Sequence, residues 1–223
     1  MIVRWEDFDA LTPSVKIREE IGSAFTGGKD IEVVMRLAKS VHPKRVLEMY
    51  TNRGHTALHL ASALPDSKIV TLDISREAAE SYGLLANGQP NEILPEKDIG
   101  SEIKKYSDLA KIIDLRVIKT LPYSVSLLGK FDVVFIDGNH DFEGVHDDTL
   151  RALRVLSPEG MLIWDDYWPV CPGVMKLIDF LNGKIGSRIA RVDPTRICFL
   201  ITRPYEAVIM GSVLRNIKSC IIP

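Results

Sequence analysis

Two apolar runs that each break off in acidic residues constrain the fold of this chain more than any other feature. Phe131–Ile136 is followed by Asp137, and Met161–Trp164 is followed by Asp165 and Asp166. Continuous apolar runs of this length are typical of strands that are buried on both faces of a parallel sheet. In open sheets of this kind, ligands bind beyond the carboxyl ends of the strands. We therefore expect the three carboxylates to converge at one ligand-binding edge of an α/β sheet.

These acids, together with a histidine, allow two interpretations. Carboxylates that crowd together repel one another unless protons or a cation neutralise them, and oxygen ligands suit Mg²⁺, Ca²⁺ or Mn²⁺. A single acid at a strand end is more often solvated, or caps the next helix. Because acids follow two successive strands, and His140 comes three residues after Asp137, we favour a functional site over unrelated strand ends.

The composition excludes several classes of protein. With 223 residues, of which 46% are hydrophobic, the chain has the size and apolar content of one α/β domain. Its net charge of −2, with both signs mixed, gives no basic patch for nucleic acid or a membrane surface. The three cysteines lack the spacing of a zinc site, the first residues lack the pattern of a signal peptide, and no apolar stretch is as long as a membrane span. We expect a cytoplasmic protein that binds neither nucleic acid nor membranes.

Helical and strand patterns alternate along the chain, which predicts a doubly wound, Rossmann-like α/β fold with helices on both faces of the sheet. The short connection Asp193–Thr195 predicts that the last strand runs antiparallel in an otherwise parallel sheet. Seven strands are expected, at Arg45–Met49, Lys68–Leu72, Ile112–Ile118, Asp132–Ile136, Met161–Trp164, Arg188–Val192 and Ile197–Thr202.

We interpret residues 1–223 as a single domain with additions at both ends. Residues 1–44 are expected to be helical, at Lys16–Phe25 and Asp30–Val41. The core spans residues 45–203 and contains an inserted region, 75–110, that we expect to form two helices. The tail, residues 204–223, carries an apolar stripe at helical spacing. This stripe must pack either on the N-terminal helices or on a second subunit, and we favour a homodimer.

A nucleotide site is indicated independently of the acidic strand ends. Arg45–Thr56 has the pattern of a strand, a turn and the start of a helix, and Asp73 lies 19 residues beyond Gly54 at the end of the next strand. A carboxylate at about that distance can accept hydrogen bonds from the ribose hydroxyls of a nucleoside. A glycine in the turn allows backbone to approach a ligand closely, although a tight turn alone explains the glycine equally well.

At this point the residues show a resemblance to a known family. Val46–Thr56 resembles motif I of the class I S-adenosylmethionine-dependent methyltransferases, and Asp73 matches their ribose-binding acid. Phe131–Val145 and Gly160–Val174 resemble the subgroup of cephalosporin hydroxylase-like and macrocin-type O-methyltransferases. The placement of the acids is also similar to that of catechol O-methyltransferase. The resemblance covers about Arg45–Leu181.

The resemblance implies two sites and a reaction. S-adenosylmethionine would be bound by residues of motif I and of the following strand, namely Glu48, Tyr50, Asn52, Gly54, Thr56, Asp73 and Ile74. Mg²⁺, or another divalent cation, would be bound by Asp137, Asp165 and Asp166. His140 stands where the catechol enzymes have a lysine base, and imidazole titrates near neutral pH, so His140 and Asp137 are the expected catalytic residues. The alternative for His140 is a capping or packing role.

The implied function is metal-assisted O-methylation of a small hydroxylated substrate, such as a sugar or a phenol. The departure from the family pattern that matters most is at Tyr50, which stands where motif I usually has its first glycine. This departure favours an alternative function, a nucleoside-binding or degenerate methyltransferase-like module that transfers no methyl group.

Overall fold

A computed structural model describes residues 1–22, 28–81, 93–119 and 123–202 of the chain. The strands in these residues are β1 (Ile2–Arg4), β2 (Arg45–Met49), β3 (Lys68–Ile74), β4 (Ile113–Ile118), β5 (Phe131–Ile136), β6 (Leu156–Trp164), β7 (Ala190–Asp193) and β8 (Cys198–Ile201). The α-helices in the same residues are α1 (Trp5–Leu11), α2 (Gly28–Ser40), α3 (His55–Ala63), α4 (Arg76–Ser81), α5 (Ser107–Ala110), α6 (Phe142–Val155) and α7 (Pro172–Lys184).

The chain divides into two compact units. The first, here called the central unit, is Val15–Ser124, and the second, the terminal unit, combines Met1–Ser14 with Val125–Pro223. Strands of the central unit pair in the order β2-β3-β4, all parallel. Strands of the terminal unit pair in the order β1-β7-β8-β6-β5, and β8 runs antiparallel to both of its neighbours.

Helices and strands alternate in the central unit as the sequence pattern predicts. Four of the five residues of β2 are buried, and the buried stretch of β3 extends from Ile69 to Asp73. Between these strands, α3 begins after Gly54, which adopts a left-handed conformation at the N-terminal cap. The polypeptide therefore passes from the carboxyl end of β2 into α3 through a tight loop, and this loop is where motif I lies.

Two buried strands of the terminal unit end in the acidic residues. Val133–Ile136 of β5 pairs in parallel with Met161–Trp164 of β6, and all eight of these residues are buried. After β5, helix α6 is capped at its N-terminus by Asp141, whose Oδ1 accepts from the backbone N–H of Gly144 at 2.7 Å. After β6, helix α7 begins with Pro172, which suits the first turn because a helix leaves that N–H without a partner.

The predicted α/β class, the predominance of parallel pairing and the antiparallel last hairpin are confirmed. The described residues contain one strand more than predicted, because β1 pairs in parallel with β7. The helix predicted at Lys16–Phe25 is wrong for residues 16–22, where only Glu19–Ile21 forms a 3₁₀ turn. Gly22 follows this turn with φ of 72°, a left-handed value that ends helical structure.

The inserted region is also less helical than predicted. Helix α4 occupies its start, but residues 93–110 contain two 3₁₀ turns and the single turn α5 instead of a second long helix. The predicted C-terminal helix lies outside the described residues. Within the described ranges, no helix combines the length and the apolar character needed to cross a membrane.

Candidate functional site

The three acids predicted to converge do lie together in the terminal unit. Asp137 follows β5 directly, and Asp165 follows β6, where its backbone N–H donates to the carbonyl of Ile136 at 3.0 Å. One carboxylate oxygen from each of Asp137, Asp165 and Asp166 lies within 4.8 Å of the others. The parallel register of β5 and β6 is the cause, since it pairs Ile136 with Trp164 and so brings the next residues of both strands side by side.

Asp166 is held by two basic side chains. His140 Nε2 lies 2.7 Å from its Oδ2, and Arg196 Nη1 donates to its Oδ1 at 2.9 Å. The same guanidinium places its Nε 3.9 Å from Oδ1 of Asp165. Both oxygens of Asp166 are therefore engaged, one by the predicted histidine and one by an arginine that the sequence analysis did not identify.

Strand register explains why Arg196 reaches this site. In the antiparallel pair of β6 and β8, Trp164 lies opposite Cys198. Continuing this register by two residues beyond the strands places Arg196 opposite Asp166, and Tyr167 N–H donates to the carbonyl of Arg196 at 3.0 Å. The sequence predicted the last hairpin but not that its second strand pairs with β6, and this pairing is what brings Arg196 to the acids.

Asp166 is both conformationally and electrostatically unusual. Its φ of 60° lies in the left-handed region, and its backbone N–H donates to Oδ1 of Asp165 at 2.6 Å. Burial by itself would raise the pKa of this carboxyl group. The hydrogen bond from His140, the charge of His140 when its ring is protonated, and the charge of Arg196 outweigh that effect, so the pKa of Asp166 is held below its usual value.

The loop that carries His140 is fixed by close packing against α7. A Cβ atom added to Gly173 would lie 2.5 Å from the carbonyl oxygen of His140 and 2.5 Å from the backbone nitrogen of Phe142. Only a residue without a side chain permits this approach. Cys171, which precedes α7, is buried and forms with His140 and Asp166 a second group whose ligand atoms lie within 4.8 Å of one another.

The predicted donor-binding acids lie in the central unit, where their partners are neutral groups. Glu48 is buried in β2, and its Oε2 accepts from the hydroxyl of Thr71 at 2.5 Å. Thr71 is in turn 2.7 Å from the hydroxyl of Thr51. Burial raises the pKa of Glu48 to about 8, since these neutral hydrogen bonds offset only part of the cost of removing the charge from water. Neither threonine was singled out from the sequence, where both resemble ordinary strand or loop residues.

Asp73 is joined to the motif I loop by backbone hydrogen bonds. Its Oδ2 accepts from the N–H of Asn52 at 2.7 Å, and its Oδ1 accepts from the N–H of Ile74 at 2.7 Å. Burial raises the pKa of Asp73 to about 6, although these N–H groups act in the opposite direction. The structure thus brings Asp73 and Asn52 together, and the backbone N–H groups of Asn52, Ile74 and Thr51 leave part of the acceptor capacity of the carboxylate for another donor.

The loop between β2 and α3 contains three residues with left-handed backbone conformations. Tyr50 has φ of 81°, Asn52 of 48° and Gly54 of 96°. Tyr50 therefore adopts a backbone conformation that normally favours glycine, the residue that motif I usually has at this position. Thr56, another predicted donor residue, is buried in the first turn of α3.

Part of the inserted region is tied to this loop. The N–H groups of Gly100 and Glu102 donate to the carbonyls of Asn52 and Arg53 at 2.8 Å and 3.0 Å. A Cβ atom on Gly54 would lie 2.6 Å from Cγ1 of Ile103. The glycine of motif I is thus required by the chain's own packing as well as by its backbone conformation.

The acid cluster has the donor set that a hard divalent cation requires. Three carboxylates from two strand ends supply oxygen ligands, and such ligands suit Mg²⁺, Ca²⁺ and Mn²⁺. With neutral His140, the formal charge of Asp137, Asp165, Asp166 and Arg196 together is −2, which a divalent cation would balance. The residues present therefore fit the cation that the sequence resemblance implies.

Comparison with known proteins gives the family. A family model described as a methyltransferase domain matches residues 47–167, more than half of the chain. The chain therefore belongs to this family of methyltransferase domains. The matched region begins within β2 and ends one residue after Asp166, so it contains both the motif I loop and the acid cluster.

Individual relatives agree with this assignment. Catechol O-methyltransferase domain-containing protein 1 of Mus musculus is 27% identical over 147 residues, which cover 63% of this chain and 48% of the mouse protein. The matched region thus spans about half the length of that relative.

Two solved structures have the same fold. One is an O-methyltransferase from Bacillus cereus in complex with SAH, which is 16% identical with a TM-score of 0.55 over 82% of this chain and 85% of that one. The other is the O-methyltransferase TomG from Streptomyces achromogenes, involved in tomaymycin synthesis, in complex with SAM. It is 18% identical with a TM-score of 0.55 over 87% of this chain and 94% of that one. At these identities the similarity concerns the fold, and it supports the Rossmann-like methyltransferase architecture.

Proposed function

We propose that this protein transfers a methyl group from S-adenosylmethionine to the hydroxyl of a small molecule, such as a sugar or a phenol, with the help of a divalent cation. Family membership supports methyl transfer. The roles of the cation and of the hydroxyl acceptor are supported by the group formed by Asp137, Asp165 and Asp166, one of which is hydrogen-bonded to His140. A domain that only binds a nucleoside has no need for this arrangement.

On the donor side, we assign binding of S-adenosylmethionine to the central unit. Asp73 would accept hydrogen bonds from the ribose hydroxyls through the acceptor capacity that the N–H groups of Asn52, Ile74 and Thr51 do not use. Glu48 would lie near the methionine end of the donor, with Tyr50, Gly54 and Thr56 lining the same loop and helix start. The N-terminus of α3 would add backbone N–H donors for the carboxylate of the methionine moiety.

On the acceptor side, Asp137, Asp165 and Asp166 would hold the divalent cation, most simply Mg²⁺. When bound, such a cation lowers the pKa of a hydroxyl group that coordinates it. The 2.7 Å contact from His140 Nε2 to Asp166 favours the tautomer with the proton on Nε2, so Nδ1 is the nitrogen that would take the hydroxyl proton. The acceptor oxygen then forms a bond to the methyl carbon while the carbon–sulfur bond breaks, and sulfur keeps the electron pair as the neutral thioether.

A second candidate function is a nucleoside-binding module that transfers no methyl group. The observation in its favour is Tyr50, whose side chain occupies a position where motif I normally has none. The two functions predict different ligand behaviour, because both bind the donor but only the first has a use for the cation.

A thermal-shift titration with S-adenosylmethionine, with and without Mg²⁺, tests the proposal, since a ligand that binds only the folded state raises the melting temperature. We expect a shift with the donor, a further shift with Mg²⁺, and methylation of a hydroxylated acceptor in a panel of sugars and phenols. Asp137→Asn should lose the Mg²⁺ shift and keep the donor shift. Asp132→Asn, at the opposite end of the same strand, is the matched control and should keep both. A donor shift with no Mg²⁺ shift and no methylated product would favour the binding module.

Other expectations from the sequence stay predictions. These are the cytoplasmic location, the division into N-terminal region, core and tail, and the homodimer formed through the C-terminal stripe. Light scattering of the full-length chain, compared with a chain truncated after Thr202, checks the dimer. A monodisperse full-length monomer would contradict it.

A further inference from the structure

Arg196 contacts carboxylates that a bound cation would also need as ligands. Its guanidinium contacts two of the three carboxylates, Asp166 at 2.9 Å and Asp165 at 3.9 Å. The same two carboxylates belong to the group whose oxygens converge within 4.8 Å. A positive side chain therefore already balances part of the charge that would attract a divalent cation.

His140 does not compete in the same way. A neutral imidazole that donates its Nε2–H to Asp166 adds no formal charge, and a carboxylate oxygen that accepts this hydrogen bond retains a lone pair for a cation. Arg196 is always charged, because its guanidinium does not lose its proton in proteins. Of the two groups on Asp166, only the arginine must repel a cation placed at the cluster.

The surroundings of Arg196 allow its side chain to leave. The side chain is 23% exposed, whereas those of Asp165 and Asp166 are 2% and 12% exposed. The guanidinium can therefore move into water while the carboxylates stay in place. The backbone of Arg196 would remain fixed meanwhile, because its carbonyl accepts from Tyr167 N–H and Cys198 is paired with Trp164.

We propose that Arg196 competes with the divalent cation for Asp166, so that cation binding displaces the guanidinium and Arg196 sets the cation affinity of the cluster. The competition presupposes the cation site of the proposed function and deepens it. Arg196 is then a positioning residue whose positive charge partly neutralises Asp165 and Asp166 before the cation binds. The same charge lowers the affinity of the cluster for the cation.

The test is calorimetric titration of Mg²⁺ into the wild type, Arg196→Met and Arg196→Lys, in the presence of S-adenosylhomocysteine. Methionine keeps much of the length of the side chain without its charge, so Arg196→Met should bind Mg²⁺ roughly tenfold more tightly. Lysine keeps the charge, so Arg196→Lys should stay within about threefold of the wild type. Arg188→Met, which removes one positive charge just before β7, is the control and should leave the affinity unchanged.

Thermal unfolding supplies a second readout that does not depend on activity. Without cation, Arg196→Met should melt at a lower temperature than the wild type, because Asp165 and Asp166 lose a counter-charge. Saturating Mg²⁺ should raise its melting temperature by more than it raises that of the wild type.

The outcomes distinguish a failure of the competition by Arg196 from a failure of the cation site itself. Unchanged or weaker Mg²⁺ binding in Arg196→Met, with normal binding in the wild type, would overturn the competition and leave the cation site standing. Equal tightening in the methionine and lysine variants would overturn it as well, since charge would not be the cause. If neither the wild type nor Arg196→Met bound Mg²⁺, the cation site of the proposed function and the competition would both be wrong.

Discussion

The two units of this chain each contain buried carboxyl groups, and they stabilise them in opposite ways. In the central unit, Glu48 and Asp73 accept hydrogen bonds only from hydroxyl and backbone N–H groups in the described contacts, and burial raises their pKa values to about 8 and about 6. In the terminal unit, Asp166 is also buried, but the partners His140 and Arg196 hold its pKa below the usual value. The charge of the partner decides the direction of the shift.

This difference indicates what each region is suited to bind. Burial raises the pKa values of Glu48 and Asp73, and their partners are neutral hydroxyl and N–H groups, the kinds of hydrogen-bond donor that a nucleoside also offers. Asp166 stays ionised to lower pH than usual, and the acid cluster to which it belongs is only partly balanced by Arg196, so the cluster can attract a further cation. The buried carboxyl groups of the central unit and the acid cluster are therefore electrostatically distinct, and the following substitutions test that distinction.

The largest expected effect is on the pH dependence of stability in the central unit. Unfolded Glu48 would lose its proton near the usual pKa of 4.5, whereas the folded protein holds the proton up to about pH 8. Between these values the unfolded state binds fewer protons, so the stability of the wild type falls as pH rises from about 4.5 to about 8. Glu48→Gln cannot titrate, so its stability relative to the wild type should increase with pH, by on the order of several kcal/mol at pH 9.

Urea unfolding of Glu48→Gln and wild type from pH 5 to pH 9 measures this difference. Glu80→Gln, on the exposed surface of α4, is the matched control and should follow the wild-type curve. Parallel curves for Glu48→Gln and wild type would mean that Glu48 is ionised in the folded protein, and the contrast between the two units would then disappear.

The second prediction concerns the terminal unit. Asp137→Asn keeps the size of the side chain but removes one of three charged oxygens, so we expect Mg²⁺ binding to disappear and kcat/KM for methyl transfer to fall by on the order of 100-fold or more. The free energy of unfolding should change little, because Asp137 lies after the strand end and is only partly buried. Calorimetric titration and steady-state kinetics provide the measurements, with Asp132→Asn as the control. Wild-type Mg²⁺ affinity in Asp137→Asn would remove this residue from the site.

The pattern of apolar residues along the sequence predicted the buried strands of the sheet. The apolar runs located β2, β3, β5 and the end of β6 to within one or two residues, because strands buried on both faces require continuous apolar sequence. Strand β1 was missed because it has only three residues, two of them exposed, so it shows no apolar run. Its pairing with β7 joins opposite ends of the chain and leaves no local signal.

For the candidate site, the sequence predicted the residues at the strand ends but not their partners on neighbouring strands. Asp137, Asp165 and Asp166 could be placed together because parallel strands end at the same edge. Arg196 could not be placed without the register of β6 and β8, and Thr71 could not be assigned to Glu48 without the register of β2 and β3. Strand ends can be read from sequence, whereas partners across strands depend on register, which one sequence does not specify.

A third, smaller effect is expected at Asp73. Asp73→Asn replaces one acceptor oxygen by an NH₂ group, which would face either a backbone N–H or the ribose hydroxyls, so the affinity for S-adenosylhomocysteine should fall by about 1–3 kcal/mol. Mg²⁺ binding in the absence of donor should be unaffected if the two regions are distinct. Titration calorimetry with each ligand separates the two, and Asp66→Asn, an exposed acid just before the same strand, is the control. Equal nucleotide affinity in Asp73→Asn and wild type would place the ribose elsewhere.

The smallest effect comes from the backbone of the donor loop, at Tyr50. At most positions alanine is more stable than glycine by about 0.5–1 kcal/mol, because glycine loses more freedom on folding. At φ of 81° a Cβ atom is itself unfavourable by about 1–2 kcal/mol, so the order should reverse, and Tyr50→Gly should be more stable than Tyr50→Ala by up to about 1 kcal/mol.

Comparing these variants with each other cancels the loss of the aromatic ring, and the pair Ser62→Gly and Ser62→Ala in α3 should show the ordinary order. An alanine variant as stable as the glycine variant would show that Tyr50 is unstrained in solution. The expected reversal would instead mean that the chain carries a strained side chain in its donor loop, and the donor affinities of the same two variants and of Tyr50→Phe would then show whether the ring contributes to binding.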